Sequence, residues 1–214
     1  MEKMIRTMDG LNLWSESFGK PGDRPILLIM GAMNQGIFWP DAFCIQLASL
    51  GFYVVRYDHR DTGQSSKVDY QAQPYRLAEL TQDALAVLHA HNLPKATVVG
   101  LSMGGYIAQL LAIEHPEAVE RLVLISSSAD QRPYMAATMG QATSDFDLPP
   151  PGPALLEYIR VTIARPPRSP EEIEENLLTG WAITYADSRE FPRARITAAL
   201  RQADWKLIHY LADH

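Results

Sequence analysis

A serine flanked by glycines lies where an apolar run meets a helical segment. The motif Gly100-Leu101-Ser102-Met103-Gly104 follows the apolar residues 96–99 and opens the helix expected over 103–114. A serine in a sharp strand-to-helix turn exposes its hydroxyl at the carboxyl end of a sheet, where it can attack a carbonyl carbon. The alternative is that the glycines only permit tight packing of helix on strand. We favour the first interpretation and predict that Ser102 is a nucleophile.

Attack on a carbonyl places negative charge on its oxygen, which then needs hydrogen-bond donors. Met103 begins the helix after Ser102, so its backbone N–H can be one donor, and the helix dipole favours an anion there. The second donor is expected in the loop after the apolar run 25–30, where Gly31-Ala32-Met33-Asn34 lies. We assign this role to the backbone N–H of Ala32.

Strands and helices alternate along the first 130 residues. Continuous apolar runs predict strands buried on both faces, and helical spacing of apolar residues predicts the helices between them. The expected strands cover residues 25–30, 52–57, 95–99 and 119–125, and the expected helices cover residues 41–50, 77–91 and 103–114. Two short runs around Asp9-Gly10, residues 4–7 and 11–17, predict an N-terminal hairpin. This order indicates an α/β fold with a mostly parallel sheet.

The pattern changes after about residue 130, where β-branched runs end and only helical spacing remains. Proline clusters separate three expected helices, which cover residues 153–164, 170–185 and 188–213. Ser169 is expected to cap the second of these helices. The sequence therefore predicts two domains, residues 1–129 and an all-helical region over residues 130–214.

Taken together, these motifs resemble the α/β-hydrolase superfamily, and within it the aclacinomycin-methylesterase-like and proline-iminopeptidase-like serine hydrolases. The resemblance covers roughly residues 5–130. It rests on Leu28-Ile29-Met30-Gly31, Trp39-Pro40-Asp41, Arg56-Tyr57-Asp58-His59-Arg60-Asp61-Thr62-Gly63, the segment 98–104 and the strand at 122–125. The family commonly has histidine at the position of Met30. This departure resembles the methylesterase branch, and the oxyanion loop typical of the peptidases is missing.

The resemblance implies a serine hydrolase that cleaves carboxylic esters through an acyl-enzyme at Ser102, or an amide- or peptide-cleaving relative. Relatives that attack alkyl carbons carry aspartate at this position, so serine disfavours their chemistry. The resemblance also implies that residues 58–63 form a structural loop and that residues 130–214 are a helical cap. It implies no cofactor.

Serine needs a histidine base held by a carboxylate, and in this family they follow in the order serine, acid, histidine. Beyond Ser102 the chain has only His115, His209 and His214. His115 would lie about 20 Å away along the same helix, at about 1.5 Å per residue, and is excluded. Asp130 follows the fourth strand and is a candidate acid.

Nothing after residue 130 resembles the last two strands of the family, so the catalytic acid and histidine are expected beyond residue 214. Three explanations stay open: a truncated copy of an ordinary hydrolase, a non-catalytic small-molecule binding protein on the same scaffold, or a complete enzyme whose base is His209 or His214. Without further strands, residues 119–125 would form an exposed apolar edge at which chains could self-associate.

Charge and composition exclude several other classes. Lysine and arginine number 19 against 25 aspartates and glutamates, and no basic run is present, so nucleic acid is not an expected partner. The longest apolar run, 26–33, is shorter than the roughly 20 residues of a membrane span, and no signal peptide is evident, so we expect a cytoplasmic protein without membrane contact. The single cysteine, Cys44, is expected to be a buried structural thiol, and no metal-ligand spacing is found.

Overall fold

The computed structural model describes residues 1–184. The chain divides into two compact units, Met1–Ala129 and a second that begins at Asp130. The helix expected over residues 188–213 lies outside the described residues.

The first unit begins with the predicted hairpin. Strands β1 (Glu2–Arg6) and β2 (Asn12–Phe18) pair antiparallel, with Met4 opposite Trp14. Gly10 in the turn has φ of 86°, a conformation that glycine adopts without steric cost. β2 also pairs antiparallel with the fourth strand of the chain, so the hairpin extends the sheet at one side.

Four parallel strands follow the hairpin, as predicted. They are β3 (Arg24–Ile29), β4 (Phe52–Tyr57), β5 (Ala96–Leu101) and β6 (Val119–Ile125), and the order across the sheet is β1-β2-β4-β3-β5-β6. The helices between them are α1 (Asp41–Ser49), α2 (Leu77–Ala90) and α3 (Met103–Glu114). Two short 3₁₀ turns, Gly36–Phe38 and Pro116–Ala118, were not predicted.

The apolar run of β3 is buried because both faces of the sheet are covered. Leu27 and Ile29 point into a cluster that includes residues of α2 and α3, whereas Ile26 and Leu28 point into a second cluster that includes Cys44 of α1. Each fully buried leucine or isoleucine contributes roughly 1.5–3 kcal/mol to folding. As predicted, Cys44 is a buried thiol, and burial raises its pKa to about 11.

β6 differs from the other parallel strands because it lies at the edge of the sheet and is exposed. Its pattern had suggested a strand buried on both faces, and this prediction was wrong. Leu122, Val123, Leu124 and Ile125 each expose between 36% and 42% of their surface. The expectation of an exposed apolar edge is thus confirmed, whereas self-association at that edge stays a prediction.

The described part of the second unit is helical, as predicted. It contains α5 (Pro153–Ala164) and α6 (Pro170–Thr184), together with a short helix α4 (Arg132–Thr138) that was not predicted. Ser169 Oγ accepts a hydrogen bond of 3.2 Å from the backbone N–H of Glu172, which is the predicted cap. Between the two longer helices, the hydroxyl of Tyr158 lies 2.8 Å from Asn176 Oδ1.

A membrane-crossing helix needs both length and low polarity. No helix within residues 1–184 combines the two to the degree that a bilayer requires.

Candidate active site

Ser102 occupies the turn between β5 and α3. Its backbone has φ of 52° and ψ of −118°, and its side chain is exposed. A residue other than glycine at positive φ carries strain of about 1–3 kcal/mol, and such strain is concentrated at functional sites. The structure therefore places Ser102 in the strained strand-to-helix turn that the sequence predicted.

The glycines of this turn are required by close backbone contacts. A Cβ on Gly100 would lie 2.3 Å from the carbonyl oxygen of Gly104, and a Cβ on Gly104 would lie 2.3 Å from that of Ile29. A Cβ on Gly105 would lie 2.4 Å from the side chain of Ser127. Because two of these obstacles are backbone atoms, side-chain movement cannot relieve them. The alternative interpretation of the glycines, tight packing, is thus also realised, at the same turn that exposes Ser102.

Two other strands hold the turn in place. The backbone N–H of Ser102 donates a hydrogen bond of 2.9 Å to the carbonyl of Ile125 at the end of β6. On the other side, a Cβ on Gly31 would lie 3.4 Å from Cβ of Ser102, so the loop after β3 reaches the serine. Ser102 thus lies where the carboxyl ends of β3, β5 and β6 meet.

The two residues assigned as oxyanion donors flank this position. Met103 is the first residue of α3, and the N–H groups of a helix's first turn have no acceptor within the helix. Ala32 is exposed in a turn directly after Gly31, and Met33 in the same turn has φ of 62°. The structure brings the Ala32 segment next to Ser102 through Gly31.

Of the histidines that follow Ser102, only His115 lies in the described residues, and it is not at the serine. His115 lies at the far end of α3, where its Nε2 is 3.2 Å from the side-chain nitrogen of Gln82. Asp130 belongs to the second unit, where Arg132 binds both of its carboxylate oxygens and lowers its pKa. His209 and His214 lie outside the described residues.

The segment after β4 is tied to its surroundings by buried polar contacts. Asp58 accepts the backbone N–H groups of Gly36 (2.7 Å) and Gln64 (2.9 Å), and burial raises the pKa of its carboxyl group. His59 Nε2 lies 2.9 Å from the carbonyl oxygen of Met30. These contacts fix the conformation of the segment, which agrees with the structural role that the resemblance implied.

Arg60 and Asp83 form a buried ion pair that the sequence did not reveal. Two contacts of 2.7 Å join the guanidinium to the carboxylate of α2. Hydrogen bonding to Asp83 raises the pKa of Arg60, whereas burial raises the pKa of the Asp83 carboxyl group. The only signal in the sequence was an acidic residue on the buried side of a helix, and this signal does not identify the basic residue that pairs with it.

Residues 1–184 contain no cluster of side chains suited to a metal ion. Histidine, cysteine, aspartate and glutamate do not come together there in any set of three or more that could hold an ion.

Comparison with known proteins assigns the chain to a family. Residues 24–157 match the family described as the alpha/beta hydrolase fold. The chain is 37% identical to the rhodomycin D methylesterase DauP of Streptomyces sp. (strain C5), and the match covers 99% of this chain and 74% of that protein. It is 36% identical, over the same shares, to the rhodomycin D methylesterase DnrP of Streptomyces peucetius.

A solved structure agrees with this assignment. A hydrolase from Pseudomonas aeruginosa PA01 superposes with a TM-score of 0.62 at 26% identity, and the match covers 99% of this chain and 71% of that one. The family match extends over more than half of the chain, and the two esterase relatives match over nearly all of it. The chain therefore belongs to the α/β hydrolase fold family.

Proposed function

We propose that this chain is a carboxylic ester hydrolase of small or medium esters in which Ser102 is the nucleophile. The observation that carries the proposal is the backbone conformation of Ser102, a residue other than glycine that has φ of 52° in the turn between β5 and α3. The two relatives described as rhodomycin D methylesterases support an ester, and in particular a methyl ester, as the bond that is cleaved.

In the proposed reaction, Ser102 Oγ attacks the ester carbonyl carbon and the carbonyl oxygen becomes an oxyanion. The N–H groups of Met103 and Ala32 donate hydrogen bonds to that oxyanion, and the N-terminal end of α3 adds its favourable dipole. The carbon–oxygen bond to the alcohol then breaks, which leaves an acyl-enzyme that water hydrolyses. The proton of Ser102 must pass to a general base, a role that we assign to none of residues 1–184.

The second unit, from Asp130 onward, takes the place of the family's helical cap in this proposal. Its described helices and the boundary at residue 130 support this assignment. Cap helices in this scheme select the substrate, whereas the nucleophile and the oxyanion donors belong to the first unit.

The direct test compares the full-length wild-type protein with its Ser102→Ala variant in the hydrolysis of 4-nitrophenyl acetate and 4-nitrophenyl butyrate. We expect the variant to lose at least about 1000-fold in kcat/KM, because the acyl-enzyme cannot form without the hydroxyl. Equal rates for the two proteins would refute the assignment of Ser102. A matching 4-nitroanilide tests the amide-cleaving alternative, and ester binding without turnover would identify a non-catalytic binding protein.

A further inference from the structure

Two neighbouring loops leave the sheet at the same edge. β3 and β4 are adjacent and parallel, with Leu28 opposite Arg56, so the segments after them emerge side by side. We call residues 30–36, which follow β3, the oxyanion loop, because they contain Ala32. Residues 58–64, which follow β4, form the neighbouring loop.

Consecutive side chains of the neighbouring loop hold both ends of the oxyanion loop. His59 Nε2 contacts the carbonyl oxygen of Met30 at the start of the oxyanion loop, at 2.9 Å. Asp58 Oδ1 accepts the backbone N–H of Gly36 at its end, at 2.7 Å. Both side chains are buried, with 1% exposure for Asp58 and 2% for His59.

We propose that His59 is a positioning residue for the oxyanion site, which it orients through the carbonyl of Met30. The inference rests on the proposed function, since it concerns the donor assigned to Ala32. His59 touches neither the substrate nor the reacting atoms in this scheme. Its effect passes through the peptide between Met30 and Gly31.

The chemistry of the contact fixes the form of the His59 ring. A carbonyl oxygen only accepts hydrogen bonds, so Nε2 must carry the proton and donate it. Nδ1 is buried and has no hydrogen-bond partner within the described residues. Because a second proton would place a cation in this buried site, burial lowers the pKa of His59, and the ring is a neutral donor.

The position of Met30 explains why the orientation of its carbonyl group affects the oxyanion site. A Cβ on Gly104 would lie 2.6 Å from the Met30 carbonyl oxygen, so this oxygen also contacts the start of α3. Gly31, the next residue, contacts Ser102, and Ala32 follows. Rotation of the Met30–Gly31 peptide would therefore move the Ala32 donor relative to the serine.

Three variants separate positioning from a general structural role. His59→Leu removes the donor, whereas His59→Gln keeps an N–H at a similar distance from the backbone. His91→Leu is the matched control, because His91 is likewise held by side-chain hydrogen bonds, to Ser15 (2.9 Å) and Tyr53 (3.1 Å), but near the opposite end of β4.

The first measurement is hydrogen exchange of the backbone amides of residues 31–35, followed by mass spectrometry. We expect faster exchange in His59→Leu and near-native exchange in His59→Gln and His91→Leu. The second measurement is ester hydrolysis by the full-length protein and the same variants. We expect His59→Leu to lower kcat by about 10- to 100-fold with little change in KM, below the roughly 100- to 1000-fold cost of losing a donor outright. His59→Gln should recover most of this loss, and His91→Leu should keep the native kcat.

Four results would contradict the proposals in distinguishable ways. Unchanged exchange at residues 31–35 in His59→Leu would overturn the positioning role, as would faster exchange with native kcat. Equal losses of kcat in His59→Leu and His91→Leu would show that His59 has only a general structural role. Equal hydrolysis by wild type and Ser102→Ala would instead overturn the proposed function itself.

Discussion

Gly104 packs directly against the carbonyl oxygen of Ile29, which a Cβ on Gly104 would approach to 2.3 Å. This contact joins the first turn of α3, which supplies the Met103 donor, to the end of β3, which leads into the loop with the Ala32 donor. The separation between the Met103 and Ala32 donors therefore depends on a glycine at position 104.

Gly104→Ala should destabilise the protein by about 3 kcal/mol, because the added methyl group meets backbone atoms that side-chain movement cannot clear. Urea unfolding followed by tryptophan fluorescence measures the change. Gly152→Ala is the matched control, since a Cβ there meets nothing within 4 Å; because Gly152 caps α5, where glycine is preferred to alanine, it should still cost up to about 1 kcal/mol. Equal stability of the two variants would contradict the close contact.

Ser102→Gly should be more stable than Ser102→Ala by about 1 kcal/mol, because glycine relieves the strain at φ of 52° whereas alanine retains it. At Ser49, in the last turn of α1, the same pair of substitutions should give the opposite order, since glycine weakens a helix. Denaturant titration of the four variants checks both orders. The strained turn would be refuted if alanine proved the more stable residue at position 102.

Asp83→Leu should lower the free energy of unfolding by about 3 kcal/mol, because it leaves the buried guanidinium of Arg60 with only the half-exposed Asp9, at 3.1 Å, as a carboxylate partner. The double variant Arg60→Met with Asp83→Leu should be more stable than Asp83→Leu alone. As a control, Glu157→Gln breaks the exposed pair with Arg160 and should cost less than about 1 kcal/mol. A single and a double variant of equal stability would argue against the pair.

His91 should make stability depend on pH, because burial lowers its pKa from 6.5 to about 4. The unfolded chain then binds a proton between these values while the folded chain does not, so stability is full above pH 6.5 and falls as the pH drops toward 4. After allowance for solvent around the half-buried ring, we expect a loss of about 1–2 kcal/mol. His91→Leu should flatten this part of the stability curve, and an unchanged curve would contradict the assignment.

Elements with strong local signals were predicted well from the sequence. β4 and α3 have the predicted bounds, since an apolar run or a helical stripe ends at a glycine or a turn in each case. The helix α4 was missed because its seven residues are too few for helical spacing to be recognised. β6 was expected to be covered because its apolar run is the same as that of a central strand, and cover depends on neighbours that the run does not specify.

The candidate site likewise contains features that the sequence could predict and features that it could not. Ser102 and its glycines form a local motif, so their turn could be predicted from spacing alone. The contacts of Asp58 with Gly36 and of His59 with Met30 join residues that are 22 and 29 positions apart. Such contacts follow from the adjacency of β3 and β4, which no local pattern specifies.

The most direct test of the central claim is the covalent capture of Ser102. A fluorophosphonate is incubated with the full-length wild-type protein and with its Ser102→Ala and Ser49→Ala variants; Ser49 is an exposed serine outside the proposed site. Peptide mass spectrometry then locates the adduct. We predict one adduct on the peptide that contains Ser102, in wild type and Ser49→Ala but not in Ser102→Ala. An unmodified Ser102, or an adduct that persists in Ser102→Ala, would contradict the account.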